Sequence, residues 1–278
     1  MHKPVMLYEV IKNLDIKSNN FYIDTTFGTG GHTKEIIKYI NKNARILTFD
    51  KKLKKNKFLK TSKKKIISIT LSFEIFSMIY KKTTKIYSGV LSDLGISTNQ
   101  ILNNRCGFGN KKKNFLDMRL NYKDNLRALD WLNKAKKQEL LDVFFIFGNK
   151  KLAINISKQI LIYRKKKIIN TNYDLQKMFL NKLNNKVINK LLNIIRIFIN
   201  NDIIILKIFL TYIKFFLKTK SVIVILSFNS LEDRLIKKYL FKLLILKKHN
   251  KLKENKPNIF ELQKNISARS AILRTLFI

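Results

Sequence analysis

With 278 residues, 46% of them hydrophobic, the chain is long enough to bury a sizeable core as one large domain or as one domain carrying an insertion. A single cysteine, Cys106, excludes an internal disulfide and a cysteine-rich zinc site, so no resident metal is expected. The formal charge of +39 has the sign of a polyanion binder, yet 48 of the 57 basic residues are lysine, and Lys, Ile and Asn crowd the whole chain. Codon bias toward A and T and selection for a nucleic-acid surface both fit that pattern.

The opening residues, MHKPVMLYEV, carry no secretory pattern. The most apolar stretch, 194–217, is broken by Arg196, Asn200, Asn201, Asp202, Lys207 and Lys214. It falls short of the roughly 20 residues a spanning helix needs. A soluble cytoplasmic protein with no membrane partner is expected.

In chain order, residues 21–25 read as a first buried strand, and Thr33 to Tyr39 as the helix after a glycine loop. Arg45 to Asp50 is a second strand ending in a carboxylate, followed by a charged, partly helical stretch that reads as solvated surface. Residues 66–71 form a third strand, and 85–95 contain a fourth that ends at Asp93. Strands alternating with helical segments indicate βαβ units and a parallel sheet. From about 103 to 200 the apolar residues recur at three- and four-residue spacing, which predicts a helical insertion. The sheet pattern then resumes with a helix over 203–218, a strand over 221–228 and a helix from Ser230. A Lys- and Asn-rich loop over 247–258 and a terminal β-rich segment complete the chain, with no repeats. The expected fold is α/β, a Rossmann-like sheet built from 1–102 and 201–278 around the insertion at 103–200.

The segment FYIDTTFGTGGH, residues 21–32, reads as a strand opening into a nucleotide-binding turn, which three kinds of ligand use. A triphosphate loop needs GxxxxGK followed by Ser or Thr, and Thr33 stands where the glycine before Lys34 should be. The dinucleotide pattern GxGxxG starts at Gly28 and Gly30 but also meets Thr33 where its third glycine belongs. S-adenosylmethionine has no phosphate, so its glycines need only allow close backbone approach, with a carboxylate for the ribose diol after the second strand. Asp50 stands there, although an NAD site would place an acid there too. The stretch Ser92 to Gln100 lies at the carboxyl end of the fourth strand, beside the crevice where such sheets bind ligands. Asp93 there can face a cofactor or cap a helix.

Eight blocks in order, HKPVMLYEV, IDTTFGTGGH, ILTFDKK, LSDLGISTNQ, RCGFGNKKKNFLDMRL, RIFIN, SFNSLEDR and ARSAILR, carry a resemblance that runs nearly end to end. The chain resembles the RsmH (MraW) family, ribosomal RNA small subunit methyltransferase H. The resemblance implies a class I S-adenosylmethionine-dependent methyltransferase fold with an inserted helical domain for RNA recognition. It also implies methylation of the exocyclic N4 of a cytosine in bacterial 16S rRNA, with the small ribosomal subunit as partner. The oligomeric state stays open, a homodimer being one option.

Carried over, the cofactor contacts fall on Gly30, Gly31, His32, Asp50, Phe73, Asp93 and Gln100. Read from the residues alone, His32 would be a helix-start or packing residue, Phe73 core, Gln100 a polar loop residue and Cys106 a small packed side chain. For the chemistry the candidates are Asp93, or a carbonyl within 94–97, working with Asp117 or Asn229. For RNA they are Arg119, Arg234 and Arg269 together with the lysines of the insertion; Arg234 could equally pair with a neighbouring acid on its helix. The chain departs from the family in having Asn229 where a histidine is usual, and Asn114 and Phe115 where glycine and proline are usual. Two other readings remain: a methyltransferase with another substrate, and a non-catalytic RNA-binding or assembly protein. The first lacks the Pro-Pro-aromatic motif of DNA amino-methyltransferases.

Overall fold

The computed structural model describes residues 4–50, 65–69, 76–79, 86–95, 114–122, 126–147, 149–179, 183–245 and 251–278. They divide into two compact units, one built from 1–95 and 203–278, the other from 96–202.

The first unit holds a seven-stranded sheet made of β1 (Phe21–Asp24), β2 (Ile46–Phe49), β3 (Ile66–Ile69), β4 (Tyr87–Asp93), β5 (Leu217–Ser227), β6 (Lys251–Asn255) and β7 (Ile272–Phe277). The order is β3-β2-β1-β4-β5-β7-β6, with the strands through β5 parallel and β7 antiparallel between β5 and β6. This is a Rossmann-like sheet with an antiparallel pair at one edge. Short apolar runs such as ILTF, buried at all four positions, suit a parallel strand covered on both faces. The strand order reverses between β1 and β4, which opens a crevice at their carboxyl ends.

Alternation along the strands builds two cores. Val222, Val224 and Leu226 of β5 face one side with Tyr22 and Leu91, under α1 (Leu7–Leu14) and α2 (Gly31–Tyr39). Ile223 and Ile225 face the other with Ile23, Phe49 and Val90, where Phe76 of the short α3 (Phe76–Ile79) stacks among Phe49, Phe209 and Phe216. Each such side chain, once buried, contributes about 1.5–3 kcal/mol from its removal from water.

The second unit is helical: α4 (Ala128–Lys134), α5 (Lys137–Phe144), α6 (Lys150–Lys166), α7 (Asn172–Phe179) and α8 (Asn185–Ile199). Trp131 packs against Phe144 and Phe198, and Asn149 and Asn184 cap α6 and α8 by accepting the Leu152 and Val187 amides. In the first unit again, α9 (Asp202–Tyr212), α10 (Ser230–Ile245) and α11 (Ile259–Lys264) complete the helices.

Three expectations need correction. The helix predicted over 203–218 ends at Tyr212, passes through a single 3-10 turn, and gives way to β5 already at Leu217, because Leu217 pairs with Tyr87 across an irregular register. The loop predicted over 247–258 contains β6, whose polar residues pair with Leu273 to Phe277 of β7. The terminal segment begins with a 3-10 turn at Ile266–Ser270 before β7, and α1 and α11 have no counterpart in the reading. Among the described residues no helix is long and apolar enough to cross a membrane.

Candidate active site

The crevice end of the sheet is organised by carboxylates at the ends of three strands. Asp24 closes β1, and its buried side chain accepts the Thr26 amide at 3.0 Å and the Thr33 hydroxyl at 2.5 Å. That ties the loop over 25–30 at both ends, as an aspartate favours when its side chain reaches an amide two residues on. The Thr26 hydroxyl in turn accepts the Asp93 amide at 2.6 Å, and the Phe27 amide donates to the Phe49 carbonyl at 2.9 Å. The ends of β1, β2 and β4 are thus stitched around one turn.

Two glycines give the turn its shape. Gly30 has φ +78°, and a Cβ there would sit 2.7 Å from the Phe27 ring, so neither the backbone nor the space admits a side chain. A side chain at Gly31 would collide with the Pro4 ring. Gly28, with φ +53°, has room for a Cβ, which would meet the Thr26 carbonyl oxygen at 3.9 Å, and its amide donates to Oδ2 of Asp50 at 2.7 Å.

His32 lies in the first turn of α2 and is buried. Its Nε2 is 3.1 Å from the Val5 carbonyl, and its Nδ1 is 3.6 Å from Oδ2 of Asp93. Burial pushes the Asp24 carboxyl up to about 6 against the hydrogen bonds from Thr33 and Thr26, with the Asp50 charge adding to the rise. Burial first, and then the Asp24 charge, push Asp93 up to about 7. Among the described residues neither Asp24 nor Asp93 pairs with a lysine or arginine.

This donor set discriminates between ligands. A phosphate needs free amides and a positive field, whereas here the Gly28 amide is taken by Asp50 and the surrounding groups are acids. The arrangement fits a ligand that brings its own positive charge and a diol, as S-adenosylmethionine does.

The sequence-selected residues divide accordingly. Gly30, Gly31, His32, Asp50 and Asp93 come together around one loop. Phe73 and Gln100, with Cys106, lie outside the described residues. Asn229 sits before α10 and accepts the Leu231 and Glu232 amides at 3.1 and 3.0 Å, so its oxygen caps that helix. Asp117 and Arg119 hold each other through two bonds of 2.7 and 2.9 Å in the second unit. In that unit Asn200 anchors the same segment by donating to the Met118 carbonyl and accepting the Leu120 amide, both at 2.7 Å. Arg234 and Arg269 are exposed and have no partner among the described residues, so the surface pair considered for Arg234 does not form there.

Sequence reasoning left Asp24 and Arg274 without a role. The signal for Asp24 was an acid at a strand end followed two residues on by threonine. Arg274 is buried, bonded to Asp233 at 2.7 and 2.9 Å and to Glu254 at 2.9 Å, which joins the SLEDR and ARSAILR blocks through one side chain.

A family described as the MraW methylase family matches residues 1–277. The ribosomal RNA small subunit methyltransferase H of Buchnera aphidicola subsp. Cinara cedri is 38% identical, over 98% of this chain and 98% of that one. The protein of the same name from Wigglesworthia glossinidia brevipalpis is 36% identical over 99% and 97%. Among solved structures, a rRNA methylase from Streptococcus thermophilus superposes with a TM-score of 0.42 and 10% identity, covering 100% of this chain and 98% of that one. On the near-complete match and the level of identity to its relatives, the chain belongs to the MraW methylase family.

Proposed function

We propose that this chain methylates small-subunit ribosomal RNA, transferring a methyl group from S-adenosylmethionine to the exocyclic N4 of a cytosine in 16S rRNA. The observation that carries the reading is the acid-lined glycine loop, with the Gly28 amide taken by Asp50, in a chain of the MraW methylase family. When bound, S-adenosylmethionine supplies an electrophilic methyl group on a positively charged sulfur.

Gly30 and Gly31 let the backbone approach that cofactor, Asp50 receives its ribose diol, and His32 and Asp93 complete the pocket; Phe73 and Gln100 are further candidate contacts from the family resemblance. The amine of cytosine is a weak nucleophile because its lone pair is shared with the ring. Two things raise its reactivity: holding it about 3–3.5 Å from the methyl carbon in line with the leaving sulfur, and an acceptor for the charge that grows on nitrogen. Asp93 is that acceptor. The other candidates for this chemistry are Asp117, in the second unit, and Asn229, in the same unit as Asp93. Their present engagements, with Arg119 and the α10 amides, define what RNA would have to displace. The helical segment 103–200 with Arg119 in the second unit, and Arg234 and Arg269 in the first, are each candidate RNA contacts, and the target base leaves its stack to react. A substrate in the small ribosomal subunit supports a cytoplasmic location.

The test is incubation with labelled S-adenosylmethionine and small ribosomal subunits lacking the modification, followed by mass spectrometry of nuclease fragments. The expected result is a single N4-methylated cytosine. Absence of cofactor binding by calorimetry would overturn the reading, and binding without transfer would identify an RNA-binding protein that has kept only the pocket.

A further inference from the structure

Helix α10 sorts its charges by face. At the helical repeat, Arg234, Lys237, Lys238, Phe241, Lys242 and Ile245 fall within an arc of about 140°, and all six are exposed. Ile236 and Leu240 lie on the other side, buried with Ile223 and Ile225 of β5. The acids of the helix are engaged away from the arc: Glu232 is buried, and the Asp233 carboxylate is held by Arg274 and the Ser227 hydroxyl. The outer face therefore carries Arg234 and three lysines with no acid among them. None of these cations forms an ion pair with a described residue.

Within the arc the residues are ordered. Arg234, Phe241 and Ile245 run along its middle, with Lys237 on one side and Lys238 and Lys242 on the other. Phe241 is 52% exposed and Ile245 70%, so folding leaves much of their apolar surface in water. Lys237 and Lys238 precede Phe241 at the spacing that makes helix side chains neighbours. A ring flanked by cations is a platform on which a base can stack while the cations meet the phosphates on either side. Like charge argues against a second copy of the same face as the occupant. The face also begins in a useful place. β5 ends at Ser227 with Leu226 opposite Asp93, and α10 opens at Ser230. Arg234 thus lies toward the crevice end of the sheet, with Ile245 about 16 Å further along the helix axis.

We propose that the outer face of α10 is a docking track for single-stranded RNA: Phe241 stacks a base, Ile245 extends the apolar contact, and Arg234, Lys237, Lys238 and Lys242 hold the flanking phosphates. This rests on the methyltransferase reading and names where the strand beside the target cytosine is gripped. The track and Asp93 belong to the same unit, so a strand held there is restrained relative to the reacting acid. A duplex keeps its bases stacked on one another and offers none to Phe241, so the face favours unpaired RNA.

The experiment measures binding of the full chain to a fluorescein-labelled single-stranded RNA of roughly 12 nucleotides, by anisotropy over a range of salt, beside a duplex of the same sequence. Phe241→Ala is expected to weaken single-strand binding roughly 5- to 150-fold, with the salt slope and duplex binding unaltered. Lys238→Gln combined with Lys242→Gln is expected to make the slope shallower by about 1.4, for two phosphates at about 0.7 each. Single-strand binding by Phe241→Ala equal to wild type overturns the proposal, as does an equal loss on the duplex or an unaltered slope in the lysine variant. Self-association without RNA that Phe241→Ala abolishes, seen by analytical ultracentrifugation, also overturns it and assigns the face to a second copy. Methylation of small subunits by a protein whose variants bind RNA as wild type does strikes the track and leaves the reaction reading. RNA binding that follows the expected pattern, with no methyl transfer, strikes the reaction reading and leaves the track.

Discussion

At the scale of single residues, the site depends on acids that serve the backbone and the ligand together. Asp50 accepts the Gly28 amide and also stands where a ribose diol would bind. Asp50→Ala should weaken S-adenosylmethionine binding by about 10- to 100-fold, as expected for losing a charge-assisted hydrogen bond, read by titration calorimetry. Asp24 and Asp93 have an opposite effect on stability. Both titrate above an unbound aspartate, at about 6 and about 7. The folded chain therefore holds protons that the unfolded chain has lost. The resulting stability is fully present below about pH 4 and disappears as pH rises through about 6–7. Asp93→Asn removes one of these groups, so its melting temperature should rise relative to wild type by a few degrees, on the order of 2–4 °C for each kcal/mol, between pH 5 and pH 8. Calorimetric melts of both proteins check this, and a constant difference across that range would contradict it. The glycine turn and Asp50 were readable from local order. The engagement of His32 with Val5 and of Asn229 with α10 was not, because neither partner's place follows from spacing alone.

At the scale of elements, Arg274 joins β7, β6 and α10. Its guanidinium bonds Asp233 and Glu254 while the residue is only 5% exposed. Removing the cation leaves a partly buried Asp233 carboxylate uncompensated, a change that costs about 3–5 kcal/mol. Arg274→Met should therefore lower the melting temperature by on the order of 10 °C. A drop of less than a few degrees in a thermal melt would show that the pair is structurally dispensable. β6 itself escaped the sequence reading because lysine and asparagine fill it, as they fill the chain's loops, and only pairing with β7 identifies it. Its Lys251 and Lys253 also suit a strand at the sheet edge, where charge discourages pairing with another chain. The early start of β5 has a similar cause: Leu217 continues the apolar pattern of the helix before it, and the Tyr87 backbone settles its conformation.

At the scale of the whole molecule, the charge of +39 makes salt the sharpest probe of RNA binding. Single-stranded RNA affinity should fall with salt at a slope near −0.7 for each phosphate neutralised. Arg234 and Arg269, exposed and unpartnered among the described residues, are two arginines free to contribute beside the lysines. Replacing each by alanine should reduce the slope by about 0.7, measured by fluorescence anisotropy between low and moderate salt. An unchanged slope would assign the binding to the lysines alone.

The sequence by itself determined the Rossmann-like α/β class, the glycine loop and the acids at the ends of β2 and β4. These are local quantities: apolar runs of strand length, glycines where φ is positive, and carboxylates at strand ends. Only the tertiary structure decided that Asp50 occupies the Gly28 amide, that Nδ1 of His32 lies 3.6 Å from Oδ2 of Asp93, and that Arg274 binds Asp233 and Glu254. Those contacts join residues 22, 61, 41 and 20 positions apart. Charge and hydrogen bonding act through distance in space, which a chain acquires only when its sheet has brought its strand ends to one edge.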